Sequence, residues 1–132
     1  MQYQPTLSRA GLIDLATTTY FGNVDAKNMD AALDCFNDEA LFCIQTSFTR
    51  HAGKAAIRRM FEEFFGSFET IVHRDFVCTV DDANGRISAS FEAVLTATDG
   101  TITRLNNTNF WRVRDGRFQE VYVYMSGANV LV

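Results

Sequence analysis

Three Asn-Gly or Asp-Gly pairs, Asn84-Gly85, Asp99-Gly100 and Asp115-Gly116, punctuate the second half of the chain about fifteen residues apart. They constrain the fold more than any other feature. A two-residue hairpin needs positive φ, which Gly, Asn and Asp tolerate, and such pairs between apolar runs are strong hairpin signals. The runs they separate are FVCTVDDA, RISASFEAVLTAT, TITRLNNTNFWRV and RFQEVYVYM. Four consecutive antiparallel strands are predicted. Each is longer than the usual ~5–6 residues, and long strands twist and curl instead of lying flat. A curled sheet has a concave side that must be filled.

The first half supplies the filling. Leu12, Ala16, Tyr20 and Val24 recur at i+4 steps, which predicts one apolar stripe on a helix from about Ser8 to Ala26, behind a short arm holding Pro5. Asn28 is placed to cap a second, shorter helix with Met29, Ala32, Leu33 and Phe36 on one face. Glu39 to Thr46 reads as a strand and Phe48 to His51 as a short return strand or loop. Gly53 opens a third helix whose Ile57, Met60, Phe61, Phe64 and Phe65 share a face, with Gly66 at the expected left-handed C-terminal cap. Three helices ahead of a curled meander give an α+β protein, a cone closed by its helices around an apolar cavity.

At 132 residues, the chain is expected to form a single domain spanning 1–132. Its net charge of -4 is well mixed, so neither nucleic acid nor an anionic membrane is an expected partner. No apolar run is long enough to span a bilayer. Cys35, Cys43 and Cys78 are odd in number and lie in apolar surroundings, which fits free thiols in a reducing, cytoplasmic setting. Two isolated histidines, His51 and His73, offer no metal-ligand spacing, and phosphate-loop, dinucleotide and serine-nucleophile motifs are missing. Neither metal nor cofactor is expected.

The order of elements, together with Phe36-Asn37-Asp38-Glu39-Ala40, Gly53-Lys54-Ala55-Ala56-Ile57-Arg58 and the run from Phe110 to Phe118, resembles the nuclear transport factor 2-like superfamily. Within it, the chain is similar to the SnoaL-like and ketosteroid isomerase-like group, from about Ser8 to Met125. The resemblance implies a cone-shaped, cystatin-like fold: a curved antiparallel sheet with three N-terminal helices closing a cavity. It does not imply one activity, because the fold hosts isomerases, cyclases, dehydratases, epoxide hydrolases and non-catalytic modules.

Carried over by position, an oxyanion-hole tyrosine of the ketosteroid isomerases matches Tyr20. Their general-base Asp falls on Ile44, a supporting Tyr on Phe61, and their protonated Asp donor on Asn109, whose amide still donates. The last-strand acid of similar epoxide hydrolases falls on Val123. Similar scytalone dehydratases carry a pocket His where this chain has His73, with Asp75 at i+2 to orient it; alternatively, both lie on an exposed strand face. Tyr20, Asn109 and His73 are thus the candidate catalytic residues.

With Asn109 inward, alternation places Leu105, Asn107 and Trp111 on the concave side, joined by Ile87, Ala89, Phe91, Ala93 and Leu95 and by Val121, Val123 and Met125. Ile44, Phe61, Phe65, Phe91, Asn107, Trp111 and Val123 are the expected ligand-binding wall. Tyr20 and Asn109 either satisfy one another in the core or form the polar end of a pocket. Phe110, Tyr122 and Tyr124 fall on the convex side, and the resemblance implies a homodimer packed through that face. Two functional readings stand: a binder of a small apolar molecule that, if catalytic, acts as a cofactor-free isomerase, cyclase or dehydratase, and a non-catalytic binding or dimerisation module.

Overall fold

A computed structural model describes residues 4–132. The first helix starts where Ser8 caps it, its Oγ accepting from the Gly11 N–H at 3.1 Å. It runs as Arg9–Ile13, then a π-helical stretch Asp14–Tyr20, then Phe21–Asp25. The π stretch explains the i+4 stripe. In an α-helix of 3.6 residues per turn each i+4 step overshoots a full turn by about 40°, so four such residues drift off one face. Wider π turns absorb that drift, and Leu12, Ala16, Tyr20 and Val24 are all buried.

The second helix is Met29–Leu33; Asn28 sits at its N-cap, but its side chain makes no capping bond. Phe36, expected on that helix, instead opens strand β1, Phe36–Ile44. β2, Thr49–Ala52, returns antiparallel to it. The third helix, Lys54–Ser67, begins after Gly53 at φ 86°. It runs through Gly66, which is not a left-handed cap, and ends by turning extended at Phe68.

The meander follows as β3 (Thr70–Asp81), β4 (Arg86–Thr96), β5 (Ile102–Arg114) and β6 (Arg117–Tyr124), strands of 12, 11, 13 and 8 residues. Asp115 and Gly116 take φ of 55° and 76°, the pair of positive values the tightest hairpin requires. The sheet order is β2-β1-β6-β5-β4-β3. Every pairing is antiparallel except β1 with β6, which is parallel, so the sheet is mixed at this one seam.

The concave side holds the core. Leu105, Asn107, Asn109 and Trp111 of β5, the alternate residues Ile87 to Leu95 of β4, and Val121, Val123 and Met125 are all buried, as the two-residue period predicts. Tyr20 stands among Phe21, Phe36, Phe61, Trp111 and Phe118, with ring centroids 4.8–6.3 Å away. Among the described residues no helix is long and apolar enough to cross a membrane.

Candidate functional site

One acid–base pair faces the concave side. The His73 backbone N–H donates to Asp25 Oδ2 at 2.8 Å, and the His73 Nδ1–H donates to Asp25 Oδ1 at 2.5 Å. The imidazole lies flat on Phe21, centroids 4.2 Å apart at 24°, and leans on Phe91 at 5.5 Å. Its side chain is 8% exposed. With Nδ1 committed to a carboxylate, the ring is locked in one orientation and tautomer, which leaves Nε2 as the proton acceptor. Phe21 and Asp25 are four residues apart, so one helix face supplies both the stacking ring and the orienting carboxylate.

Asp25 is a residue that sequence reasoning missed, and a signal for it existed. An acidic side chain in the last turn of a helix opposes the helix dipole, at a cost of ~0.3–1 kcal/mol, and two bonds from His73 offset that cost. Asp75, the expected orienter, points away. It takes φ 61° inside a register shift between Arg74 and Val77. Such a bulge breaks the two-residue alternation, and the Asp75 side chain is 76% exposed beside Arg74.

A cavity between helices and sheet is lined by Tyr20, Phe61, His73, Phe91, Asn107, Asn109 and Val123 among others, and no Asp, Glu, Lys or Arg is part of its wall. Three residues expected in that wall do not reach it. Ile44 is fully buried in the core. Phe65 is half-buried and stacks on the outer side of Phe61 at 5.4 Å. Trp111 stacks on Phe118 at 5.7 Å. The free volume is about 30 Å³, room for one or two waters.

The polar atoms of the cavity are unevenly satisfied. Asn107 Oδ1 accepts from the Ser126 N–H at 3.3 Å. Asn109 Oδ1 is buried without a partner, as is Trp111 Nε1. Among the described residues no hydrogen bond joins Tyr20 to Asn109, so the two do not satisfy one another. Burial pushes the Tyr20 phenol well above its ordinary value, and charge on Cys35 and Asp25 adds to the effect; Tyr20 is therefore a neutral O–H donor. Burial also raises the Cys35 thiol to about 11, which keeps it unreactive. At the mouth of the cone, His51 Nε2–H donates to the Leu131 carbonyl at 2.9 Å. Among the described residues no three His, Cys, Asp or Glu side chains converge as a metal site.

A curved sheet wrapped by three helices around an apolar cavity, with one histidine and two amides in its wall, is the cone fold of the SnoaL-like, ketosteroid isomerase-like type. The model of the SnoaL-like domain matches residues 17–121, and the chain belongs to that family. No curated protein matches it in sequence. Similar solved structures include a candidate aromatic ring hydroxylase from Novosphingobium aromaticivorans, 22% identical with a TM-score of 0.78 over 91% of this chain and 90% of that one. A candidate polyketide cyclase from Xanthomonas campestris is 23% identical, TM-score 0.75, over 88% and 90%. A candidate ketosteroid isomerase from Kribbella flavida is 19% identical, TM-score 0.69, over 91% and 81%. At these identities the likeness is one of fold.

Proposed function

We propose that this SnoaL-like domain is a cofactor-free proton-transfer enzyme acting on a small, neutral, largely apolar molecule, by isomerisation, cyclisation or dehydration. The observation that carries the reading is the His73–Asp25 pair, whose histidine lines the cavity. His73 Nε2 removes a proton from carbon beside a substrate carbonyl. Asp25 positions the ring and stabilises the imidazolium that forms. Tyr20 donates its O–H to the developing oxyanion. Asn109, whose Oδ1 is buried without a partner, takes a hydroxyl or N–H of the substrate.

The isomerase-type base is replaced, not retained, because Ile44 stands where it would be. Names among the structural relatives, such as polyketide cyclase and ketosteroid isomerase, suit the same chemistry. Apolar residues on the convex face, Phe110 and Tyr124 foremost, support a homodimer packed there. Three free thiols support a cytoplasmic setting.

The test is hydrogen–deuterium exchange at carbon, followed by NMR, for neutral cyclic ketones and phenolic polyketides incubated with the protein. His73→Ala is expected to slow exchange on the order of 10²–10⁴-fold. Asp25→Asn also slows it, since the amide turns the ring to the wrong tautomer. Exchange unchanged in His73→Ala would remove the residue from the mechanism. The narrowness of the cavity, about 30 Å³, favours the second reading, a non-catalytic binding or dimerisation module, and binding without exchange in wild type would establish it.

A further inference from the structure

The cavity wall is completed by chain that belongs to no helix or strand. Past β6, residues 126–132 leave the sheet and cross the mouth of the cone. At one end Ser126 is fixed to β5: its N–H donates to Asn107 Oδ1 at 3.3 Å and its Oγ accepts from the Asn106 N–H at 2.9 Å. Gly127 then passes so close over β5 that a Cβ there would stand 2.8 Å from Leu105 Cδ2. At the other end the segment reaches β2. Asn129 Nδ2 donates to Thr49 Oγ1 at 3.2 Å, and the Leu131 carbonyl accepts from His51 at 2.9 Å. Between these anchors Val130 and Leu131 line the cavity, with Leu131 9% exposed. Isolated hydrogen bonds, not a strand ladder, hold the crossing in place, so it can lift without unzipping the sheet.

We propose that residues 126–132 are a strap that governs access to His73, with Leu131 as its plug and His51 as its latch. The proposal rests on the cavity being the site described above. The strap lifts to admit a neutral apolar ligand and closes over it, with Leu131 as the apolar cap.

Diethyl pyrocarbonate labelling of His73 in the full chain, quantified by peptide mass spectrometry, reads access without knowing the ligand. Leu131→Ala is expected to speed labelling of His73 at least about tenfold, by removing the buried plug. His51→Ala is expected to speed it roughly fivefold, the effect of one ordinary hydrogen bond on an opening equilibrium. His51→Gln restores the slow rate, because its amide still donates to the Leu131 carbonyl. Unchanged labelling in Leu131→Ala and His51→Ala overturns the strap. So does a parallel rise in reactivity of Cys35, which lies in the core and reports global loosening. Thermal shifts with neutral naphthyl alkyl ketones of rising chain length separate the two readings. Faster labelling with no ketone bound supports the strap and counts against the proton-transfer reading; a bound ketone with unchanged labelling overturns the strap alone.

Discussion

The two faces of β4 and β5 are made by alternate residues of the same strands, yet they treat polar atoms in opposite ways. On the convex face the charges answer one another. Glu92 accepts from Arg74 at 2.8 Å and from Arg104 at 3.1 Å, Ser90 meets Thr108 at 3.0 Å, and Glu120 accepts from Arg112 at 2.6 Å and from the Tyr122 hydroxyl. On the concave face Asn109 holds out an acceptor that nothing takes. Convex polarity is self-sufficient and contributes little per exposed pair. Concave polarity is left open where an open polar atom is most costly, as the proposed ligand-binding role of Asn109 requires.

Neighbouring rings on β5 offer the sharpest way to break the comparison. Trp111 is 2% exposed and Phe110, the residue before it, is 47% exposed. Trp111→Ala is expected to destabilise by ~3–5 kcal/mol. Phe110→Ala, measured by urea denaturation of dilute monomer, is expected to stay within about 0.5 kcal/mol. If the Phe110 cost grows with protein concentration, the convex face is buried against a second copy, and light scattering of the same samples would show the dimer.

Asn109 tests the other half of the comparison. Replacing it with Leu, close in size, removes an acceptor that is buried without a partner. The variant is expected to gain ~1–3 kcal/mol in stability while losing affinity for hydroxylated ligands. Stability gained by deleting a functional polar group is the usual trade at a binding site. A destabilised Asn109→Leu would mean that the amide is held by the fold after all, and the concave face would lose its special standing.

Much of this was legible in the sequence, for identifiable reasons. Asx-Gly pairs mark where strands end, although only Asp115-Gly116 forms the two-residue turn with both φ positive, while Asn84-Gly85 and Asp99-Gly100 sit in longer turns where the glycine alone is left-handed; alternation then gave the concave set once the resemblance had placed Asn109 inward. Tyr20 and Asn109 were reached by resemblance, and both line the cavity. What stayed hidden depends on distance or on broken rules. Asp25 meets His73 across 48 residues, and nothing local announces that pairing beyond an acid at the wrong end of a helix. Asp75 was misplaced because a bulge at positive φ resets the alternation after Arg74. The closing of the cone by residues 126–132 escaped notice because a segment without periodicity carries no pattern to read.

The smallest effect separates the two buried or bonded tyrosines, one on each face. On the convex side the hydrogen bond to Glu120 raises Tyr122 to about 12 and lowers Glu120, mainly through the same bond. On the concave side burial raises Tyr20. A phenol raised in the folded state above its ordinary value of 10.0 adds stability that is complete below pH 10 and is lost as pH climbs through the folded value. Wild type is therefore expected to weaken from about pH 10 upward. Tyr122→Phe should flatten the part of that decline below about 12, and Tyr20→Phe should flatten the decline as well, because burial raises its phenol in the same direction. The acid limb moves the other way: Glu120 adds stability above its unfolded value that is lost as pH falls, and Tyr122→Phe should reduce that loss too, because its hydroxyl is the main cause of the lowering. Urea midpoints of the three proteins across the pH range check both limbs. A Tyr122→Phe curve parallel to wild type at both ends would show that the convex bond is not formed in solution, and the contrast between the faces would then rest on Asn109 alone.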